Sequence, residues 1–373
     1  MAQKLSAKMV LLAAVAIVGL TPTPSSAHSD LTLVNFGGSA ARAQMLALLR
    51  PWEKETGSYA TMEEYNGGAA GIAEIRRQVE AANVTWDVVD MEYSDLIQAC
   101  DEGLLEKIDM GSLPAAGDGT AASDDFRDGA LHECGVGNLI WSTVYAFNGD
   151  QFAFPPSTIA DFFNTESFPG KRGVRRDPRG ILEWALIADG VATAQVYEVL
   201  GTPDGLDRAF DKLASIRSEI VWWERGPQPA QLLEDEAVSM SMAWNGRLFR
   251  PIVEEGRDIR IVWDGQIWEY DLFAIPKGAR NLEAAKDFIR YATSTDKLAE
   301  WTTYISYGPA RKSSAAKVSP EMEPLLPTSE ANLGNALRFD SGWWAENIDR
   351  IRPRFDRLTS PDFGTEGAQS GRF

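Results

Sequence analysis

LTLVNFGGS, residues 31–39, is a short apolar run of strand-like residues that stops at two glycines, and Ser39 can cap the helix that follows. The same order, an extended run and then a helix with one apolar face, occurs twice more. The second extended run covers residues 59–65 and the third residues 86–91. Alternating strands and helices predict an α/β fold with a largely parallel sheet.

The chain beyond this first unit predicts a second one. Residues 138–148, NLIWSTVYAFN, are extended and end at the turn Asn148-Gly149-Asp150, after which prolines punctuate the sequence. The apolar pattern then predicts one long helix over residues 180–200. Four further extended runs follow, at residues 220–223, 238–244, 258–263 and 266–275. We therefore expect two lobes of ordinary size and a helical C-terminal segment.

The N-terminal residues have the form of a signal peptide that covers residues 1–27. Lys4 and Lys8 form a positively charged segment, and the apolar run 9–20 follows it. Small residues at positions 25–27 predict cleavage after Ala27. A membrane anchor is the alternative, but the apolar run is shorter than the roughly 20 residues of a spanning helix. We therefore expect an exported mature chain. The polar tail of residues 360–373 is predicted to be disordered.

Composition narrows the functional classes. The formal net charge of −18 disfavours a nucleic-acid partner. The chain has two histidines, His28 and His132, too few for a His-based triad or a His-rich metal site. The sequence also lacks GxSxG, HExxH, P-loop and dinucleotide-binding glycine motifs. We therefore predict a protein that is not an enzyme and has no metal or cofactor.

Two cysteines, Cys100 and Cys134, occur in the chain. In an oxidising compartment two cysteines most often form a disulfide. Such a bond would close a loop of about 35 residues and stabilise the fold by roughly 3–4 kcal/mol. Two free buried thiols are the alternative, and the absence of CxxC makes a metal site less favoured still.

Several segments occur in an order that carries a family resemblance. They are residues 31–36 with the helix end 54–57, residues 86–89 with Glu102-Gly103 and 107–109, AFNGD at 146–150, MAWNG at 242–246, and AIP at 274–276. This ordered set resembles the periplasmic solute-binding proteins of ABC importers, in the spermidine/putrescine-binding branch. The resemblance extends over nearly the whole mature chain.

The resemblance implies a type II-like, two-lobed fold with mixed sheets, flanking helices and a hinge of two crossing strands, at about residues 145–148 and 271–275. The implied domains are lobe 1 at residues 28–146 and 273–315, lobe 2 at 147–272, and C-terminal helices at 316–359. A small ligand would lie between the lobes, which close by hinge motion. The resemblance further implies an inner-membrane ABC permease as partner, a periplasmic location and a monomer.

The resemblance also implies which side chains line the cleft. The matching positions are Phe36, Tyr93, Asp177, Trp244, Asp271 and Tyr307. Asp271 matches an acid that meets an ammonium group in the family, although a backbone-capping role is the alternative. Asp177 matches a second acid, which could instead pair with a neighbouring arginine. Glu269 stands at a family Trp, with Trp268 and Tyr270 beside it.

The residues leave two ligand classes open. Carboxylates and aromatic faces both attract cations, which predicts a polyamine-like ligand. Against that, Gly180 stands where the family has a further acid, and three arginines, Arg175, Arg176 and Arg179, add positive charge to the second lobe.

The alternative ligand is a zwitterionic quaternary ammonium or sulfonium compound in an aromatic cage. The candidate walls and countercharge are Trp222, Trp223, Trp244, Trp268, Trp343 and Glu224, each of which could equally be a core or surface residue. The turn Asn66-Gly67-Gly68 opens a helix whose backbone N–H groups could meet a carboxylate. An exported enzyme on the same fold is a remote third possibility.

Overall fold

The computed structural model describes residues 31–65 and 67–360. The predicted signal peptide, Asn66 and the predicted disordered tail beyond Ser360 lie outside the described residues. Within the described ranges, no helix combines the length and the apolar character that a membrane span requires.

The strands of the described chain form one mixed sheet with the order β2-β1-β3-β9-β5-β8-β6-β7. The strands are β1 (Leu31–Asn35), β2 (Ala60–Glu64), β3 (Val88–Glu92), β4 (Leu131–His132), β5 (Gly135–Asn148), β6 (Arg172–Arg175), β7 (Ile220–Trp223), β8 (Met240–Trp244), β9 (Ile259–Ala274), β10 (Gly308–Pro309) and β11 (Leu337–Arg338). The short strands β4 and β10 pair with β5, and β11 pairs with β9.

Helices cover the sheet on both faces. They are α1 (Gly38–Gln44), α2 (Arg50–Thr56), α3 (Gly68–Glu80), α4 (Tyr93–Asp101), α5 (Ala122–Asp125), α6 (Ile159–Phe163), α7 (Ile181–Ala188), α8 (Val196–Leu200), α9 (Pro203–Ser215), α10 (Gln228–Glu234), α11 (Leu282–Ala292), α12 (Thr295–Trp301), α13 (Lys312–Ala315) and α14 (Ser341–Thr359). A π-helical turn, Met45–Leu49, joins α1 to α2.

The first lobe is built on the repeated strand–helix pattern that the sequence predicted. β1 lies between β2 and β3 and pairs with both in parallel. All five residues of β1 are buried, as expected for a central strand covered on both faces. The second lobe repeats the parallel arrangement, since β6 pairs in parallel with β7 and with β8.

Three sequence-based predictions about local structure are wrong. Ser39 does not cap the first helix, because α1 already begins at Gly38 and its N-cap is Gly37. The helix predicted over residues 180–200 is interrupted: α7 ends at Asp189-Gly190, where Gly190 has a φ of 89°, and α8 begins at Val196. The two strands predicted at 258–263 and 266–275 are one strand, β9. Its pairing with β5 shifts register near Gly265, whose φ of 64° allows an irregularity without ending the strand.

The two long strands β5 and β9 run through both lobes. In β5, Ile140 belongs to the apolar core of the first lobe, whereas Tyr145 belongs to that of the second. In β9, Tyr270 belongs to the first core and Ile267 to the second. Each strand therefore passes from one core to the other at residues 141–144 in β5 and at residues 268–269 in β9. These positions lie about three to four residues before the crossings predicted from the sequence. The domain boundaries themselves remain a prediction.

The C-terminal segment packs on the second lobe. Trp344, Ile351 and Phe355 of α14 are buried in the same apolar cluster as α7 and α9. Ahead of α14, β11 adds to β9 in parallel, with Arg338 opposite Trp268. The segment from β11 to α14 therefore lies against the strands that connect the lobes and against the second lobe.

Candidate binding cleft between the lobes

The carboxyl ends of the parallel strands in the two lobes border one cleft. Phe36 follows β1, Glu92 ends β3, Arg175 ends β6 and Trp244 ends β8. Ligands of α/β proteins bind outside the carboxyl ends of such strands. The strand ends therefore identify this cleft as the candidate site.

Two aromatic rings form the outer part of the first-lobe wall. The rings of Phe36 and Tyr65 lie 5.1 Å apart, and the Tyr65 hydroxyl donates to the Asp90 carbonyl at 2.7 Å. Gly67 has a φ of 57°, and a Cβ there would lie 2.6 Å from the Phe36 ring. The glycine therefore lets the loop pass directly against the ring.

Behind these rings lies a cluster of carboxyl groups. We call it the acid cluster; its members are Asp90, Glu92, Asp95, Glu269 and Asp271. Strand register brings its parts together, because Glu92 of β3 lies opposite Asp271 of β9. The two strands contribute their acids to one small volume beside the hinge.

Burial makes ionisation of this cluster costly. Burial and the charge of Glu92 raise the pKa of Asp95 to about 6 and that of Glu269 to about 8. Burial likewise raises the pKa of Asp90 to about 7, and raises the pKa of Asp271 well above its ordinary value. A bound cation would relieve the mutual repulsion, so the cluster favours a positively charged group.

Hydrogen bonds fix the two acids nearest the hinge. The indole N–H of Trp141 donates to Asp271 at 2.9 Å. The hydroxyl of Ser341, the first residue of α14, donates to Glu269 at 2.7 Å. Each donor leaves further lone pairs of the carboxyl group available to another partner.

The second-lobe wall carries positive charge, and Asp177 lies within it. Arg179 donates to Asp177 at 2.8 Å and Arg352 of α14 at 3.3 Å. Although burial alone would raise the pKa of Asp177, the hydrogen bonds and charge of Arg179 hold it below its usual range. The arginine pairing that the sequence left as an alternative for Asp177 is present.

Arg175 differs from its neighbours on this wall. Its guanidinium lies 4.9 Å from the centre of the Trp244 ring, in cation–π contact. The residue is half-buried, and within residues 31–65 and 67–360 no carboxylate lies within ion-pair distance of it. Burial lowers the pKa of Arg175, while Asp177 and Glu92 favour its charged form. Arg175 is thus a cation whose hydrogen-bonding face is available.

The two walls enclose a narrow cavity at the hinge. Its lining residues are Glu92, Trp141, Thr143, Arg175, Arg179, Gly180, Ile267, Glu269 and Phe339. Carboxyl groups therefore face guanidinium groups across a floor of aromatic and aliphatic side chains. The charges suit a small molecule with a positive and a negative end. The cavity has a volume of only about 30 Å³, room for little more than a water molecule, so such a ligand would enter only when the walls move apart.

The lobes also touch at the mouth of the cleft. Arg42 of α1 forms an ion pair with Glu254 at 2.6 Å, between the first lobe and the second. Asn245, just after β8, accepts from the Ser142 backbone N–H at 2.9 Å and donates to the Ser306 carbonyl. These contacts connect the first lobe to the second.

Some of the residues predicted from the sequence meet at this cleft. Phe36, Trp244, Glu269 and Asp271 border it, and Tyr307 lies against the backbone of Gly246 beside it. Tyr93 lines a neighbouring hollow next to Phe339 and Ser341. Trp223 is buried behind Trp244, with ring centres 5.7 Å apart.

The other predicted residues lie elsewhere. Trp222 packs on Phe355, 5.7 Å between ring centres, and Trp343 packs on Tyr197 and Trp344. Trp268 and Tyr270 project from the face of β9 opposite to Glu269. Glu224 is exposed, 3.8 Å from Arg176. The five tryptophans proposed as cage walls therefore do not assemble around one point.

Sequence reasoning missed several residues of the cleft, among them Tyr65, Asp90, Glu92, Asp95 and Trp141, and it did not take Arg175 as a ligand group. Trp141 is a half-buried position within an otherwise buried stretch of β5, so the local sequence pattern does not single it out. The role of Glu92 depends on its register with Asp271, which no local pattern encodes.

The predicted disulfide between Cys100 and Cys134 is confirmed. It ties the end of α4 to the residue before β5. His132 lies within 4.8 Å of both sulfur atoms. Because the sulfurs are bonded to each other, they are not thiolates that could ligate a metal.

Two lobes, two connecting strands and a charged cleft between them are the architecture of a solute-binding protein. A model of the bacterial extracellular solute-binding protein family matches residues 47–328. The chain therefore belongs to the extracellular solute-binding proteins that serve ABC importers, which confirms the resemblance drawn from the sequence.

Individual relatives agree with this assignment. The chain is 38% identical over 327 residues to the gamma-aminobutyric acid-binding protein of Pseudomonas aeruginosa, covering 88% of this chain and 90% of the relative. It is 24% identical to the spermidine/putrescine-binding periplasmic protein of Escherichia coli, covering 85% and 90%. The solved structure of a GABA receptor superposes with a TM-score of 0.76 at 32% identity, covering 89% of this chain and 98% of that one. The predicted two-lobed α/β fold is confirmed by this likeness.

Proposed function

We propose that this protein captures a small zwitterion with an ammonium group at one end and a carboxylate at the other, as in γ-aminobutyrate. The ammonium group binds the acid cluster, next to Glu92 and Glu269. The carboxylate binds Arg175 on the opposite wall. The aliphatic part of the ligand lies along Trp141 between them.

The observation that carries this proposal is the state of Arg175. It is half-buried and stacked at 4.9 Å on Trp244, and no carboxylate of the described residues pairs with it. A guanidinium held in one plane is suited to bidentate binding of a carboxylate. The acids across the cavity supply the complementary charge. The relative named as a gamma-aminobutyric acid-binding protein supports the same ligand class.

A polyamine is the second candidate, and the acid cluster together with the spermidine/putrescine-binding relative favours it. A diamine needs an acid at each end of the cleft. Asp177, the predicted far acid, is already paired with Arg179 and Arg352. The second-lobe wall would therefore repel the far amine, and we rank this ligand lower. The quaternary ammonium or sulfonium ligand also ranks lower, because its candidate tryptophans are dispersed.

The rest of the proposal follows the family. The chain is exported through a cleaved signal peptide of residues 1–27, works in the periplasm as a monomer and delivers its ligand to an inner-membrane ABC permease. Closure of the lobes around the ligand would present the permease with a surface that differs from that of the open form.

The test is calorimetric titration of the mature chain, residues 28–373, after unfolding and refolding to remove carried-over ligand. The panel is γ-aminobutyrate, butyrate, butylamine, putrescine, spermidine and glycine betaine. Butyrate and butylamine each retain one charged end of γ-aminobutyrate, so they measure whether both ends are needed.

We expect γ-aminobutyrate to bind at least tenfold more tightly than either one-ended analogue, because each lost charge pair leaves a buried partner unsatisfied. Preference for putrescine or spermidine would overturn the zwitterion proposal in favour of the second candidate. Preference for glycine betaine would restore the onium ligand predicted from the sequence.

A further inference from the structure

A second cavity lies on the opposite face of the hinge strands. We call it the hinge-face pocket; it is lined by Arg127, Asp128, Ile140, Trp268, Tyr270, Lys312, Pro327, Thr328, Leu333 and Arg338. Its volume is about 390 Å³, within the range of small-molecule sites. Trp268 and Tyr270 alternate along β9 with Glu269 and Asp271, which point to the cleft. The two cavities are therefore separated by the strands themselves.

Positive charge dominates this pocket. Arg127, Lys312 and Arg338 contribute three cations, against the single carboxylate of Asp128. Since the whole chain carries a net charge of −18, such a local excess of cations is unusual for this protein. The pocket therefore favours an anion, although the chain as a whole is acidic.

The guanidinium of Arg127 has a buried N–H group, at Nε, that no hydrogen-bond acceptor of the described residues meets. Burial lowers the pKa of Arg127, and none of the described carboxylates forms an ion pair with it. A buried charged donor without a partner is costly, and it usually indicates a partner that the protein alone does not supply.

Arg338 provides a second, more accessible cation. Its guanidinium lies 5.4 Å from the Trp268 ring centre and 5.6 Å from that of Tyr270. Gly129 has a φ of 82°, and a Cβ there would collide with the Arg338 guanidinium. The glycine backbone and the two rings thus hold Arg338 at the edge of the pocket.

The remaining walls are apolar and flat. Ile140, Pro327 and Leu333 line the cavity, and Leu333 is one of the few large apolar side chains that is exposed, at 39%. Trp268 is half-buried and contributes a ring face. An aromatic or otherwise flat apolar body would cover these surfaces while its charged end reaches the arginines.

We propose that the hinge-face pocket is a second binding site, for a small organic anion with a flat apolar body such as an aromatic carboxylate. Arg127 and Arg338 bind the carboxylate, and the body packs between Trp268 and Leu333. The site is chemically distinct from the cleft, because it offers cations and aromatic rings without the acid cluster. It does not depend on the ligand proposed for the cleft.

The test uses fluorine NMR of 4-fluorobenzoate titrated with the mature chain, with 4-fluorobenzamide and 4-fluorobenzylamine as neutral and cationic probes of the same shape. The variants are Arg338→Gln, which is exposed and should fold normally, and Leu333→Glu, which places an anion in the pocket wall. Arg350→Gln is the matched control, since Arg350 is an exposed arginine remote from the pocket in α14. Arg175→Gln reports binding in the cleft.

We expect 4-fluorobenzoate to bind with a dissociation constant below about 10 mM and the two other probes to bind at least tenfold more weakly. Arg338→Gln and Leu333→Glu should each weaken binding at least fivefold, whereas Arg350→Gln leaves it unchanged. Absence of binding by the wild-type chain would overturn the proposal. So would binding that Arg175→Gln abolishes and the two pocket variants leave intact, since the anion would then occupy the cleft.

Discussion

Arg175 and Trp244 form a stacked pair, with the guanidinium carbon 4.9 Å from the ring centre. Trp244 is held in turn by Trp141 and Trp223, at 6.2 and 5.7 Å between ring centres. The arginine plane is therefore oriented by packing and not by a carboxylate. A cation positioned in this way loses little conformational freedom when it binds an anion.

Arg175→Gln should weaken γ-aminobutyrate binding by about tenfold to a hundredfold, because a charged hydrogen bond contributes about 1.5–3 kcal/mol. Titration calorimetry measures this change. Arg176→Gln is the control: Arg176 is adjacent, exposed and 3.8 Å from the exposed Glu224. Equal losses in both variants would indicate a general charge effect and would contradict a specific role for Arg175.

Ligand binding should release protons at neutral pH. Burial and neighbouring charge raise the pKa of Glu269 to about 8, so much of the ligand-free chain carries a protonated Glu269 at pH 7. A bound ammonium group favours the carboxylate and lowers that pKa, so a proton leaves on binding. Affinity should consequently increase as the pH rises from about 6 to 8.

Calorimetry in buffers of different ionisation enthalpy measures the proton count. In the Glu269→Gln variant fewer protons should be released on binding, and the affinity should depend less on pH. Proton uptake in the wild-type chain would be incompatible with an ammonium group at the acid cluster.

Loss of the disulfide should lower the free energy of unfolding. Cys100 and Cys134 are 34 residues apart in sequence, and the chain-entropy model gives roughly 3–4 kcal/mol for such a loop. The double variant Cys100→Ser/Cys134→Ser avoids a free thiol, and urea unfolding measures the difference. Because the bond lies outside the cleft, affinity for the ligand should change less than threefold. A change in the free energy of unfolding below about 1 kcal/mol would mean that the unfolded variant is already compact between residues 100 and 134.

The ion pair between Arg42 and Glu254 should slow ligand escape. It connects the lobes at 2.6 Å, but both side chains are partly exposed, so its contribution is small. Glu254→Gln should raise the dissociation rate by up to about threefold and leave the association rate nearly unchanged. Stopped-flow fluorescence measures both rates. Glu283→Gln, which removes an ion pair within α11, is the control and should change neither.

The sequence predicted the layered fold because each strand–helix repeat is a local pattern. Residues 31–39 already contained a buried strand, a glycine break and the start of a helix. The error over residues 180–200 arose because the residues on both sides of Asp189-Gly190 are apolar enough to continue one helix. Apolar periodicity alone cannot locate a break that a single glycine makes.

The cleft was only partly predictable. Trp244 and Asp271 were found because the family resemblance implied these positions. Arg175 was taken as an obstacle to a cationic ligand. Its relation to Glu92 exists only when the lobes face each other, and its contact with Trp244 depends on the pairing of β6 with β8. The predicted aromatic cage failed because residues that are adjacent in sequence are not adjacent in space. Trp222 and Trp223 are consecutive, yet they face opposite sides of β7.

Ser341 makes the cleft depend on a segment that is far from its other residues in sequence. Its hydroxyl holds Glu269, so one wall of the binding site is completed by a residue that follows every described strand of the sheet. A chain truncated before residue 341 can contain all of these strands and still lack this donor. The sheet and the complete wall of the cleft are therefore specified by different parts of the polypeptide.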